Sequence, residues 1–480
     1  MFSYMELNPK ALMNFSFPLA DEDLRKIIES ALSRGGDFAE VYLEYLVTTE
    51  ILLDEDKLKT LSYGIMQGAG IRVNSDEKTG YAYSDDFQIS NLKKAAQTAS
   101  FIADSNKPIR PFDIKSKRVK PHFSLKSPVP LMEDGKKIEL LIKANQAARN
   151  YDSRIKQVRV MYYDEDKKIM IVNSEGLKIS DVQYIVRLAI SALAIEGSKK
   201  FEGYTTSGGR VNMDYFMENP PESTAREAAS QAVDMLDAGE TPAGLNPVVV
   251  GSGWGGVLVH EAFGHSLEGD GIRKKTSLMS DKSGQKVASD MVDVIDDSTI
   301  PYARGSFNID DEGTVGKRNV LVKDGVLQGF LFDKLNAKLM KIHSTGSGRR
   351  ESYRCYPIPR MSNIFIDRGE TDPDDIIKSV KKGVFARKLG GGTVDTSTGN
   401  FNFLVREGYL IEQGKITRPI KGAVLIGNGP EAMKKIELLG NDLLIDTTTG
   451  TCGKDGQSVW AGLGQPTVKF REITVGGTKV

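Results

Sequence analysis

The sequence predicts an α+β protein in two parts: an N-terminal two-layer α/β domain with an antiparallel sheet, and a C-terminal, mainly antiparallel, barrel-like β domain. Three observations carry this. Helix-period and alternating segments trade places twice before residue 240. A turn-rich break, Glu240-Thr241-Pro242-Ala243-Gly244, follows the last of those helices. Beyond it, short β-rich runs separated by glycine turns dominate. At 480 residues the chain exceeds one ordinary core, and we place the domains at 1–240 and 241–480.

The first element is a helix capped by Asp21, with Leu24, Ile27, Ile28, Ala31 and Leu32 at three- and four-residue spacing and a stop at Gly35-Gly36. From Phe38 to Tyr83 the pattern is that of strands, with Val41, Leu43 and Tyr45 alternating against Glu40, Tyr42 and Glu44, and a turn at Asn74-Ser75-Asp76. A helix over about Ser90 to Ala103 closes this unit. A lysine-rich stretch with Pro108, Pro111, Pro121, Pro128 and Pro130 reads as an extended connection. The order then recurs: a helix near Lys136 to Arg149, strands from Ile155 to Arg210, and a helix from Ser223 to Ala238. GAGIRVNSDEKTGYAYS and RLAISALAIEGSKKFEGYTTS echo each other loosely, an internal repeat weighed against generic hairpins. In the C-terminal half, Asn319 to Val322, Val326 to Phe332, Asn363 to Ile366 and Ala423 to Ile426 read as strands, as does Pro247 to Val250, which turns at Gly251-Ser252-Gly253 into a helical segment.

Lys plus Arg and Asp plus Glu are both 64, so there is no cationic surplus for a phosphate backbone, and nucleic acid is not an expected partner. Cys355 and Cys452 are too few for a disulfide framework and suit a reducing compartment. The stretch MFSYMELNPKALMNFSFPL lacks a cationic leader, and the apolar run Ile185 to Ile195 contains Arg187 and is too short to span a bilayer. A cytoplasmic protein with no membrane partner is expected.

The helical segment carries His260-Glu261-Ala262-Phe263-Gly264-His265, two of four histidines flanking a glutamate. In H-E-x-x-H the histidines lie about 40° apart on the helical wheel and share one zinc ion. Here the spacing is i, i+5, about 140° on a straight helix. Gly264 offers a way out through positive φ, a widened turn or a helix end, so the helix should bulge or unwind there. His260 and His265 are candidate metal ligands, with Glu261 as the general base that takes a proton from water at the ion and delivers it to a leaving amine. Candidates for a third ligand are Glu268, Asp270, His343, Cys355 and Cys452. Cys452 stands out in the glycine-flanked Gly450-Thr451-Cys452-Gly453-Lys454, with Lys454 placed to favour a thiolate, although a cysteine in a β-rich domain is more often core.

Arg349-Arg350-Glu351 is read as a solvated or structural cluster with a cavity-wall role as the alternative, and Asp310-Asp311-Glu312 as an exposed turn. No G-x-S-x-G elbow occurs, and the G-x-x-G-K strings at Gly313 and Gly450 lack P-loop spacing.

Several blocks, HEAFGHSLEGDG, GSGRRESYRCYPIPRMSN, GGGTVDTSTGNFNF, IKGAVLIGNGPE, GTCGKDGQSV and the closing ITVGG, together resemble the TldD/PmbA family, also called modulators of DNA gyrase, and its TldD branch in particular. The match is dense from Gly251 onward and one of length and pattern before it. The resemblance implies a metallopeptidase with His260, His265 and Cys452 as ligands to zinc, or iron as the alternative, and Glu261 as the catalytic glutamate; Cys355 falls outside its motif. It also implies a cavity that admits small or unfolded peptides and a dimer, with a metal-free PmbA-type paralogue or with itself. The function expected is metal-dependent peptide hydrolysis. The alternatives are a non-enzymatic regulatory or binding protein of gyrase-modulator type and a small-molecule amidase or deformylase.

Overall fold

Leu24, Ile27, Ile28 and Ala31 form the buried stripe of a helix, Asp21–Ala31, in a computed structural model that describes residues 15–477 apart from 104–107, 110, 124, 127 and 396. Residues 1–14, which carry most of the stretch read above for a leader, lie outside the described set. Asp21 begins this helix rather than capping it. Ala20 holds the cap position, and its backbone N–H donates to Asp23 at 3.3 Å.

Three strands, Phe38–Asp54, Lys57–Ser75 and Lys78–Ser84, follow as a meander and lead into the helix Ile89–Ser100. The same order returns as the helix Asp134–Arg149, the meander Ile155–Asn173, Leu177–Glu196 and Lys199–Gly209, and the helix Pro221–Asp234. The two meanders join through their first strands, antiparallel, with Leu46 opposite Lys167. This recurrence corresponds to the echo in the sequence, whose two copies occupy the second and third strands of each meander.

Alternation gives the sheet two different faces. Ala39, Val41 and Leu43 pack with the first helix pair and Ile51 and Leu53 with the second. Tyr42, on the other face, is buried with Ile309 and Tyr353 of the C-terminal part. A second layer therefore covers the sheet from behind. The charged residues of that face, Glu40 and Glu44, are consequently buried rather than solvated.

In the C-terminal half, five strands close into a barrel: Gly244–Val250, Val468–Gly476, Val424–Asn428, Asn400–Glu412 and Lys382–Asp395, the last pairing back onto the first. All pairings are antiparallel except the closing one. The long hairpin of 382–412 was not legible, because glycines at 390–392 erase its alternation. Beside the barrel lies a six-stranded sheet whose centre is Asn363–Ile366, parallel to Gly462–Gln465. The helix carrying His260 packs between this sheet and the barrel, its Val257, Leu258, Val259 and Ala262 in one core with Val248, Val384 and Phe470. No helix among the described residues is long and apolar enough to cross a membrane.

Candidate metal centre

The chain enters the site through the strand Gly244–Val250 and a 3₁₀ turn, Gly253–Gly256. A Cβ on Gly256 would stand 2.6 Å from the Gly464 backbone, so the turn lies directly against the strand Gly462–Gln465. The α-helix that follows is only Val257–Ala262. At Phe263 the backbone leaves the helical region (φ −132°, ψ −46°) and restarts as a 3₁₀ turn, Gly264–Leu267. This break brings His265 back toward His260. The two rings lie edge to face, with centroids 5.2 Å apart and planes at 87°.

The chain thus unwinds where the i, i+5 spacing required it, by a helix end beside Gly264 rather than by positive φ or a widened turn. Among the described residues Gly264 is not one of those with positive φ. Its value is steric. A Cβ there would meet Met361 Sδ at 2.4 Å and Ile364 Cδ1 at 2.8 Å. Gly264→Ala is expected to destabilise the fold by about 1–3 kcal/mol through overpacking, read as a lower denaturation midpoint, and to reduce bound metal by displacing His265.

Cys452 arrives from the far end of the chain on a hairpin, Thr451–Lys454 paired with Gln457–Trp460. Asp455 and Gly456 form the two-residue tip with φ of 51° and 73°, the geometry that Asp-Gly favours. Arg360, fully buried, donates to the carbonyl of Cys452 and, at 3.3 Å, to that of Gln457, tying both strands to the wall of the site. Sequence reasoning missed Arg360; an arginine directly after Pro357-Ile358-Pro359, outside any long helix or strand, has no periodicity to reveal it.

Cys452 Sγ lies 3.5 Å from His265 Nε2, and donor atoms of His260, His265 and Cys452 all fall within 4.8 Å of one another. A tetrahedral zinc ion with bonds of about 2.0–2.3 Å holds its ligands about 3.3–3.8 Å apart, close to this spacing. His260 Nδ1 is buried without a hydrogen-bond partner, as suits an imidazole whose neighbour is an ion. Burial alone would raise the Cys452 thiol, but the adjacent imidazoles outweigh it and hold the thiol well below its usual range. A thiolate is the form that binds metal. Glu261 Oε2 stands 3.8 Å from His265 Nε2, with its side chain about one-third exposed (32%), while His260 and Cys452 are buried and only 8% of the His265 side chain is exposed.

Of the other candidate ligands, Glu268 accepts a hydrogen bond on His265 Nδ1 at 3.1 Å and so stands behind the imidazole. Asp270 pairs with Lys454 at 2.7 Å, His343 is exposed, and Cys355 lies elsewhere, lining a cavity of about 760 Å³ with Tyr81, Tyr83 and Arg354. Lys454 does not act on the thiol as expected; its ammonium is engaged by Glu268 and Asp270. The acidic run is also corrected. Asp310, Asp311 and Glu312 are buried: Glu312 pairs with Arg72, Asp311 accepts from the backbone N–H of Arg350, and Asp310 accepts from the backbone N–H groups of Glu312, Thr314 and Gly348. Arg350 is part of that structural network, and Arg349 donates to the carbonyl of Met361 at 2.7 Å.

Two imidazoles and a thiol within reach of one ion, with a carboxylate beside them, form a candidate metal site. The chain matches the PmbA/TldA metallopeptidase domain 1 over residues 39–103, the central domain over 128–236 and the C-terminal domain over 243–477. It is 42% identical to a metalloprotease TldD homolog of Haemophilus influenzae over 96% of this chain and 97% of that one. It is 26% identical to a zinc metalloprotease TldD homolog of Saccharolobus solfataricus, over 94% and 99%. The crystal structure of TldE from Thermococcus kodakarensis shares the fold, with a TM-score of 0.77 at 20% identity, over 95% of this chain and 100% of that one. The chain belongs to the PmbA/TldD metallopeptidase family and is a homologue of its TldD-type metalloproteases.

Proposed function

We propose that this protein is a metal-dependent peptidase acting on small or unfolded peptides, with His260, His265 and Cys452 as the metal ligands and Glu261 as the general base. The observation that carries the reading is the convergence of three donors, His260 and Cys452 buried and His265 nearly so, with His265 and Cys452 187 residues apart, beside a partly exposed carboxylate that is not one of them. The thiolate favours zinc, with iron as the alternative, and when bound the ion would supply Lewis acidity to the scissile carbonyl. Glu261 takes the proton of the attacking water and passes it to the leaving amine. Because a thiolate donates more charge than a third imidazole, an ion held here would be a weaker acid, and the proton transfer would lean more on Glu261. The restriction to small or unfolded peptides rests on the family resemblance. The dimer implied by family resemblance, with itself or with a metal-free PmbA-type paralogue, and a cytoplasmic setting, which suits the free thiols Cys355 and Cys452, complete the proposal.

The test is hydrolysis of an unstructured peptide by the metal-loaded protein, alone and with a PmbA-type partner, before and after chelation. Cleavage that stops with chelator and returns with zinc supports the reading. Stoichiometric metal without cleavage of any peptide, but with hydrolysis of small amides, would favour an amidase, and absence of both metal and cleavage would favour a regulatory protein. Cys452→Ser is expected to lower the zinc retained by purified protein well below one per chain, measured by elemental analysis; full occupancy would return Cys452 to a packing role.

A further inference from the structure

His265 lies on the 3₁₀ turn Gly264–Leu267 and Glu268, three residues on, is its C-cap, which leaves the two side chains on one side of the turn, and Cys452 and Lys454 are two apart on one strand, where they share a face. These two local rules meet in one chain of contacts. His265 Nδ1 lies 3.1 Å from Glu268 Oε2, and Lys454 Nζ lies 2.9 Å from the same oxygen. Lys454 is fixed in turn by Asp270 at 2.7 Å and by the carbonyl of Pro359 at 3.2 Å. His265 Nε2 faces Cys452 Sγ at 3.5 Å, which closes the circuit back to the hairpin. Glu268 itself is buried, and a backbone bridge to Leu331 holds it from outside the loop.

An ionised carboxylate only accepts, so a neutral His265 must carry its proton on Nδ1 and leave Nε2 as the free nitrogen. We infer that Glu268 and Lys454 are positioning residues that form a clamp: Glu268 fixes the His265 tautomer with Nε2 toward the donor cluster, and Lys454 locks Glu268 to the hairpin bearing Cys452. The clamp explains why a lysine follows the cysteine at two residues and why a buried acid follows the histidine at three. It sets two donors from opposite ends of the C-terminal half in one arrangement. The inference rests on the proposed metal site.

Zinc affinity of the full-length protein, measured by competition with a chromogenic chelator, is compared for wild type, Glu268→Ala and Lys454→Met. Alongside it, ¹⁵N-histidine NMR of the zinc-loaded proteins reads the tautomer of His265, and thermal unfolding of the metal-free proteins checks the fold. Both variants are expected to bind zinc about 10–100-fold more weakly with the metal-free fold retained, and Glu268→Ala to lose the single Nδ1–H, Nε2-ligated signature. Wild-type affinity and an unchanged His265 signature would overturn the clamp. Should Glu268→Ala fail to fold, Lys454→Met decides, since it leaves Glu268 in place; unchanged affinity there overturns the coupling to the hairpin. Wild-type protein that binds no zinc would instead defeat the metal-site reading itself.

Discussion

Glu261→Ala is expected to lower peptide hydrolysis by roughly 10²–10⁴-fold, the usual contribution of a positioned general base, while the protein keeps its full complement of metal. The expectation follows from the separation of roles within one helical turn. His260 points into the buried donor cluster, whereas the neighbouring Glu261 carboxylate stays partly exposed, 3.8 Å from His265 Nε2. Removing it should therefore spare the ligands. Rate and metal content measured on the same preparation separate the possibilities: a fall in both would make Glu261 a ligand, and an unchanged rate would remove it from the chemistry.

Arg350→Ala is expected to destabilise the protein by about 3–5 kcal/mol, the typical result of leaving one partner of a buried ion pair uncompensated. Arg350 is fully buried between the two halves of the chain. It pairs with Glu40 of the N-terminal sheet, donates to the carbonyl of Asp311 at 2.8 Å and lies 4.1 Å over the Tyr42 ring. Glu40 is also held by Arg72, which reaches Glu312 at 2.7 Å. With Arg350 gone, Glu40 keeps Arg72 as its ion-pair partner among the described residues, and the Tyr42 ring loses its cover. Denaturation midpoints read the loss, and a fall of under 1 kcal/mol would mean that water or a neighbour replaces the guanidinium. Lysine should rescue poorly, because one ammonium cannot reproduce the fork of contacts.

The same network shows where sequence reading stops. Asp310-Asp311-Glu312 looks like a solvated turn because Arg72, which pairs with Glu312, and the Arg350 backbone N–H, which donates to Asp311, lie far away along the chain. Local pattern cannot report such a pairing. The helices and meanders of the N-terminal half were legible because one face of each is buried and the period shows. The barrel was legible only as a class, since its longest hairpin is interrupted by glycines that pack closely, Gly392 against Phe403 for one. In the site, the odd histidine spacing correctly demanded a break in the helix. The mechanism of the break, a turn at Phe263 and a glycine needed for room, depends on Met361 and Ile364 from another strand region and was not visible. The Asp455-Gly456 pair was a readable hairpin signal that would have placed Cys452 and Lys454 on one face of a strand.

The central claim is that one metal ion is shared by two imidazoles and the Cys452 thiolate, and zinc X-ray absorption of the purified, stoichiometrically loaded protein tests it directly. One sulfur scatterer at about 2.3 Å and two imidazole nitrogens at about 2.0–2.1 Å are expected in the first coordination sphere, with the sulfur lost in Cys452→Ser. A wild-type spectrum with only nitrogen and oxygen neighbours would contradict it.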